Sequence, residues 1–192
     1  MKIWWLLLGC ASAFGQNLQI TTEPSKKPAQ QVLEETSLIA GGAFGAVVFE
    51  QLTSSGQLKL NGTTVNQKLR VDGSLLTQGA HLNAVEVRGE ANFKNTIFAQ
   101  AVQIIGSLRA EKSTFQDKLT VSGIKALLIG SKLNAVHVVK DPSFRGHQVL
   151  ELRQRTTIDG PIVFESGKGE VHCHPGCYVL GSITGGKLIK KN

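Results

Sequence analysis

The sequence predicts an all-β protein: a single-stranded parallel β-helix, or β-solenoid, with coils of about 17 residues. Three observations carry that prediction. An apolar-x-apolar-x-Gly unit recurs as LKLNG at 58–62, LRVDG at 69–73, VEVRG at 85–89, VQIIG at 102–106 and LTVSG at 119–123. Its corner glycines are Gly62, Gly73, Gly89, Gly106 and Gly123, and from Gly73 onward they recur at nearly equal intervals. Within each unit the alternation has period two: Val85 and Val87 project to one side, Glu86 and Arg88 to the other, as in a strand with one wet face.

Helix is excluded as the main element, because glycine interrupts each repeat and no stripe at 3.6-residue spacing is sustained. The odd period requires each coil to break its alternation once. KNT at 94–96 and EKST at 111–114 are the expected places. A bulky residue returns late in three copies as Leu82, Phe98 and Phe115, and VHVVK at 136–140 keeps the spacing while losing the glycine. Stacked at roughly 4.8 Å per coil, residues 58–188 would make a rod about 35 Å long.

Ahead of the repeats, MKIWWLLLGCASAFGQ has the layout of an export signal: one lysine, a short apolar run, then small residues. The apolar run is too short to span a bilayer as a helix. Leu7-Leu8-Gly9-Cys10 fits a bacterial lipobox with Cys10 lipidated. Ala11-Ser12-Ala13 instead fits ordinary signal peptidase, and both readings stay open. The organisation expected is therefore a signal over 1–10, a polar linker over 11–35 containing Pro24 and Pro28, a capping strand region over 36–57, and the solenoid over 58–192.

The repeats VRGEANF, IIGSLRAEKSTF and LTVSG resemble the β-solenoid of bactofilins, the polymer-forming bacterial cytoskeletal family. The resemblance covers about 58–135, and more faintly 156–171. It implies a rod of corner-glycine coils and end-to-end assembly into non-polar filaments, and it bears on fold more than on function.

The most chemical-looking stretch is VHCHPGCYV at 171–179. If VHCHP is extended, His172 and His174 project from one face and Cys173 from the other, so His172, Cys173, His174 and Cys177 cannot all meet one metal ion. His174-Pro175-Gly176-Cys177 suits a type II turn, and in an oxidising compartment a Cys173–Cys177 disulfide locking the C-terminal end is the preferred reading. Free thiols and a metal site stay as alternatives. No cofactor motif is present and no enzyme is expected: His81, His137 and His147 are the catalytic candidates, and each reads as an ordinary surface residue.

The formal charge is +7 with scattered Lys and Arg, and aromatic residues make up only 6% of the chain, which argues against a nucleic-acid partner. Arg153 and Arg155 alternate with Leu152 and Gln154 and could form a small cationic contact strip. The function expected is a non-enzymatic, exported structural or binding module on the periplasmic side of the envelope. It would be held to the outer membrane through lipid on Cys10, with self-association, an envelope protein or a glycan as further partners. The alternatives are a bactofilin-like self-assembling scaffold and an enzyme of unknown type on a β-helix.

Overall fold

The computed structural model describes residues 32–142 and 144–192. These form strands and turns without helix, wound into about nine turns of a parallel solenoid. Each coil pairs with the next in parallel register, as in Val85 opposite Val102 and Val102 opposite Leu119. A coil has three strand positions, exemplified by Ile97–Phe98, 102–105 and 107–111. The signal, Cys10 and most of the expected linker lie outside the described residues.

Period-two alternation builds the core. Leu82, Phe98 and Phe115 occupy one inward column. The rings of Phe98 and Phe115 stack at 4.6 Å with an interplanar angle of 13°, and Phe93 leans on Phe98 at 4.8 Å. Val87, Ile104 and Val121 make a second column, and Ala91, Leu108 and Ala126 a third, all buried. Burying each large side chain contributes roughly 1.5–3 kcal/mol, and every coil supplies several. Ser54 interrupts this pattern: it occupies the same inward column as Val71, and its hydroxyl is buried with no hydrogen-bond partner.

Two of the three corners of a regular coil differ sharply in chemistry. At the first, Gly56, Gly73, Gly89 and Gly106 stand directly over one another. A Cβ built on Gly89 would lie 2.1 Å from the Gly73 carbonyl oxygen, and one on Gly106 would lie 2.1 Å from that of Gly89. Glycine is required there by close approach of the coil below as well as by backbone angle. At the second corner Gly79, Asn95 and Lys112 all adopt left-handed φ, of 62°, 48° and 49°. A Cβ on Gly79 would meet nothing within 4 Å, so side chains are admitted where the backbone can bear them. These are the alternation breaks expected at KNT and EKST.

This geometry corrects one glycine assignment. Leu58 pairs with Leu75 and Asn61 with Gln78, so LKLNG lies at the third strand position, one strand on from LRVDG. Gly56 pairs with Gly73, and Gly62, with φ 64°, belongs to the second corner. Each coil contains two apolar-x-apolar runs, which is why the two could be confused.

Immediately after the second corner runs a ladder of buried hydroxyls: Thr96, Ser113, Ser131 and Thr156. The Thr96 N–H donates to Ser113 Oγ at 3.3 Å, that of Ser113 to Ser131 Oγ at 3.1 Å, and that of Ser131 to Thr156 Oγ1 at 3.3 Å. The hydroxyls donate in turn to carbonyls of the corner, as Ser113 Oγ does to Glu111 O at 3.0 Å. Backbone groups freed by the turn are thus satisfied inside the core.

The expected start of the solenoid moves toward the N-terminus. Strand Val32–Leu38 begins inside the segment read as linker, and Val32 pairs with Val48. Residues 36–57 are regular coil, because Val48–Asn61 pairs with Thr64–Gln78 along its length. Beyond Ser131 the coils lengthen: Lys132 pairs with Thr157, well past one regular repeat, and among the described residues no strand lies between Val138 and Gln148. The HPGC turn is not the end of the rod, because a further coil stacks on it, with Tyr178 opposite Thr157 and Lys187 opposite Glu170.

Candidate functional site

The C-terminal coils bring VHCHPGC together with two carboxylates. Strand Gly169–Cys173 lies between Gln148–Arg153 and Gly186–Lys190, which places His172 opposite Glu151 and Glu170 opposite Lys187. Alternation sends Glu170 and His172 outward and Val171 and Cys173 inward.

Three histidines share these two acids. His172 Nε2 is 2.9 Å from Glu170 Oε2, and His147 Nδ1, just ahead of strand Gln148–Arg153, is 3.0 Å from Glu170 Oε1. Lys187 Nζ also reaches Glu170 Oε1 at 3.2 Å. His174 Nε2 instead approaches Glu151 Oε1 at 3.3 Å. Glu151 is only 5% exposed, and it also accepts from Lys125 Nζ at 2.5 Å and Arg153 Nε at 2.6 Å. Hydrogen bonding from Lys125 above all holds the Glu151 carboxyl pKa down at about 2, against the opposing effect of burial. The His172 and Lys187 hydrogen bonds do the same for Glu170, also to about 2.

His172 and His174 are committed to different carboxylates and Cys173 faces the core. Among the described residues no group of three or more His, Cys, Asp or Glu side chains is placed to hold a metal ion.

The turn itself is formed: Gly176 has φ 80°, and the Cys177 N–H donates to His174 O at 3.1 Å. The staple is not. Cys173 and Cys177 are free thiols, and Cys173 Sγ points at the Cys177 carbonyl oxygen, 3.2 Å away. Cys177 is buried in the place after Thr156 that the hydroxyl ladder leaves it, and burial raises the Cys173 thiol pKa, with the neighbouring Cys177 adding to it.

The other sequence candidates scatter. His81 is exposed on the first strand position, and His137 pairs with Glu165 at 3.0 Å on the second. Arg153 folds onto Glu151, while Arg155 sits at the left-handed corner with φ 63°. Sequence reasoning missed Glu151 and Glu170, each of which gathers three partners. Glu151 alternates with Leu150 and Leu152 like any wet-face residue, and only the neighbouring coils reveal its load.

Fold and site define a parallel β-solenoid with a charged C-terminal face. Comparison with protein-family models, with curated proteins and with solved structures returns no match.

Proposed function

We propose that the protein is a non-enzymatic structural or binding module of the bacterial cell envelope, exported by its N-terminal segment and presenting its solenoid as a rigid rod. The supporting observation is that the wet side chains form ladders in register from coil to coil, such as Lys59, Leu76, Asn92 and Arg109. Surfaces of this kind suit extended partners. The export reading rests on the sequence of residues 1–16. The mass of the mature N-terminus tests it: lipid on Cys10 supports an anchored module, a start at Phe14 supports secretion, and an intact Met1 removes the envelope reading.

A second reading, self-assembly as a scaffold, draws on the ends. At the first coil Leu33, Leu38 and Phe44 are only half-buried, and at the last coil Val179 and Ile183 are half-buried and Leu188 is 42% exposed. Among the described residues nothing stacks on either outer edge, and an uncovered parallel edge offers both hydrogen bonds and apolar surface to another chain. Electron microscopy of the concentrated protein tests it. Filaments support the scaffold, and a monodisperse monomer rules it out.

A further inference from the structure

The chain's net positive charge is not scattered once the coils are stacked. Along the third strand position Lys59, Lys94, Arg109, Lys125, Arg153 and Lys187 recur between the second coil and the last, with gaps at the coils of 74–78 and 169–173. The adjoining corner adds Lys112 and Arg155. The first strand position carries Glu34, Glu35, Glu50, Asp117 and Asp159 against Lys68, Lys118 and Lys132, so acids outnumber bases there. On the second, Arg70 and Arg88 are matched by Asp72 and Glu86.

Of the carboxylates on the basic face, Glu90 is exposed, while Glu111, Glu151 and Glu170 lie lower than the cations they serve. Glu111 is shared by Lys94 and Arg109, at 4.0 and 3.8 Å, with 28% of its side chain exposed against 53% and 47% for its partners. Glu151 is shared by Lys125 and Arg153, and its side chain is 7% exposed against their 56% and 51%. Each acid neutralises one of two cations, holds both upright and leaves the excess facing solvent. Lys59 has no ion-pair partner among the described residues. Successive coils lie about 4.8 Å apart, inside the Debye length of about 8 Å at physiological salt, so neighbouring cations act on a bound polyanion together.

The N-terminal half of this face is also grooved. A depression of about 670 Å³ is lined by Lys59, Asn61, Leu76, Gln78, Asn92 and Lys94. Amide side chains offer both donors and acceptors, the chemistry that suits sugar hydroxyls, and the lysines flank them with positive charge.

We infer that this face binds a linear anionic polysaccharide laid along the rod, its acid groups on the cationic row and its hydroxyls on the Asn61–Gln78–Asn92 amides. The inference rests on the binding-module reading and gives it a ligand class. A nucleic acid is disfavoured because the one aromatic side chain lining the depression, Phe44, is half-buried with its ring edge-on to Phe49 at 5.1 Å, and no row of stacking rings runs along this face among the described residues. A lipid surface is disfavoured because Ile39, Ile105, Tyr178 and Leu180 lie on other faces, and the large apolar side chain exposed on this strand position, Leu188, stands in the last coil away from the depression.

The test is retention of the full-length protein by immobilised polygalacturonate at about 0.15 M salt. Two triple variants of equal charge change accompany it: Lys59→Ser/Lys94→Ser/Arg109→Ser on the basic face, and Lys68→Ser/Lys118→Ser/Lys132→Ser on the first. The basic-face triple is expected to weaken binding at least about tenfold, and the control triple less than about threefold. If the basic-face triple fails to fold by circular dichroism, Lys59→Glu alone is read in its place, with a smaller loss in the same direction. The inference is overturned if the wild type is not retained, if both triples weaken binding equally, or if phosphatidylglycerol vesicles or single-stranded DNA bind the wild type more tightly than polygalacturonate does. The envelope reading is read separately from the mature N-terminus and survives any of those outcomes.

Discussion

Residues 48–131 and residues 132–190 use the same inward columns but close their coils differently. In the first region the coils are nearly equal in length, as from Val48 to Thr64 and from Leu108 to Ala126. In the second they are longer and uneven, as from Lys132 to Thr157 and from Thr157 to Tyr178. The glycine column explains the contrast. While Gly56 to Gly123 stand over one another, each corner is pressed against the one below and its length cannot drift. After Gly123 this column stops and the close glycine approaches shift to another corner, where a Cβ on Gly160 would lie 2.5 Å from the Asn134 carbonyl oxygen and one on Gly181 would lie 2.0 Å from that of Gly160. Regular length therefore goes with one unbroken glycine corner, and the coils in which the crowding moves to another corner are the ones that gather histidine and buried carboxylate.

The sharpest test of that contrast is Gly89→Val, which must displace the Gly73 carbonyl at a φ of 132°. It should cost about 4 kcal/mol or more, whereas Gly79→Ala, at the open corner, should cost about 1 kcal/mol. Chemical denaturation measures both, and similar losses would mean that crowding does not set the register. Next in size, Phe98→Ala should cost about 3–4 kcal/mol by opening a cavity in the ring stack. Val179→Ala, in the half-buried last coil, should cost about 1 kcal/mol or less.

Glu151→Gln should cost about 2 kcal/mol, because Lys125, Arg153 and His174 would be left around a neutral amide. Its pH dependence has a defined sign. The folded pKa values of Glu151 and Glu170, about 2, lie below the usual 4.5. The stability they contribute is complete above about pH 4.5 and is lost as pH falls toward 2. Tyr178 is the chain's only tyrosine and lies in the last coil, so its ring resonances should report loosening in acid before far-ultraviolet circular dichroism reports global loss. Coincident transitions would show that the two regions unfold as one unit.

The smallest effects concern two buried hydroxyls of opposite sign. Ser113→Ala removes the acceptor of the Thr96 N–H and should cost about 1 kcal/mol, while Ser54→Val removes an unpartnered hydroxyl from the core and should gain about 1 kcal/mol. Thermal unfolding of the pair measures both. A loss at Ser54 would show that its hydroxyl has a partner after all.

Much of the fold was legible because alternation and corner glycine are local signals. Val85, Val87 and Gly89 announce a strand and its corner within a single short unit. Gly62 was misplaced because its unit shares that local pattern while belonging to another strand of the coil. The hydroxyl ladder went unread because Thr96, Ser113, Ser131 and Thr156 recur at unequal spacing, each behind a different residue. At the candidate site the turn at HPGC was readable from proline and glycine. The acids that hold its histidines lie on separate strands, and no spacing rule connects Glu151 to His174. The expected disulfide was argued from compartment and cysteine count, neither of which says where a sulfur points.

The sequence by itself determined that the chain coils, which side chains enter the core and how long a regular turn is, since each follows from short-range pattern and its recurrence. Which coil lies over which, and so which charges share a face, was decided only by the tertiary structure. A parallel solenoid sums side chains from coils well separated along the chain, as Val32 on Val48 and Val136 on Ile162. Its surface chemistry is therefore a property of register, and register is fixed by how tightly each corner packs on the one below.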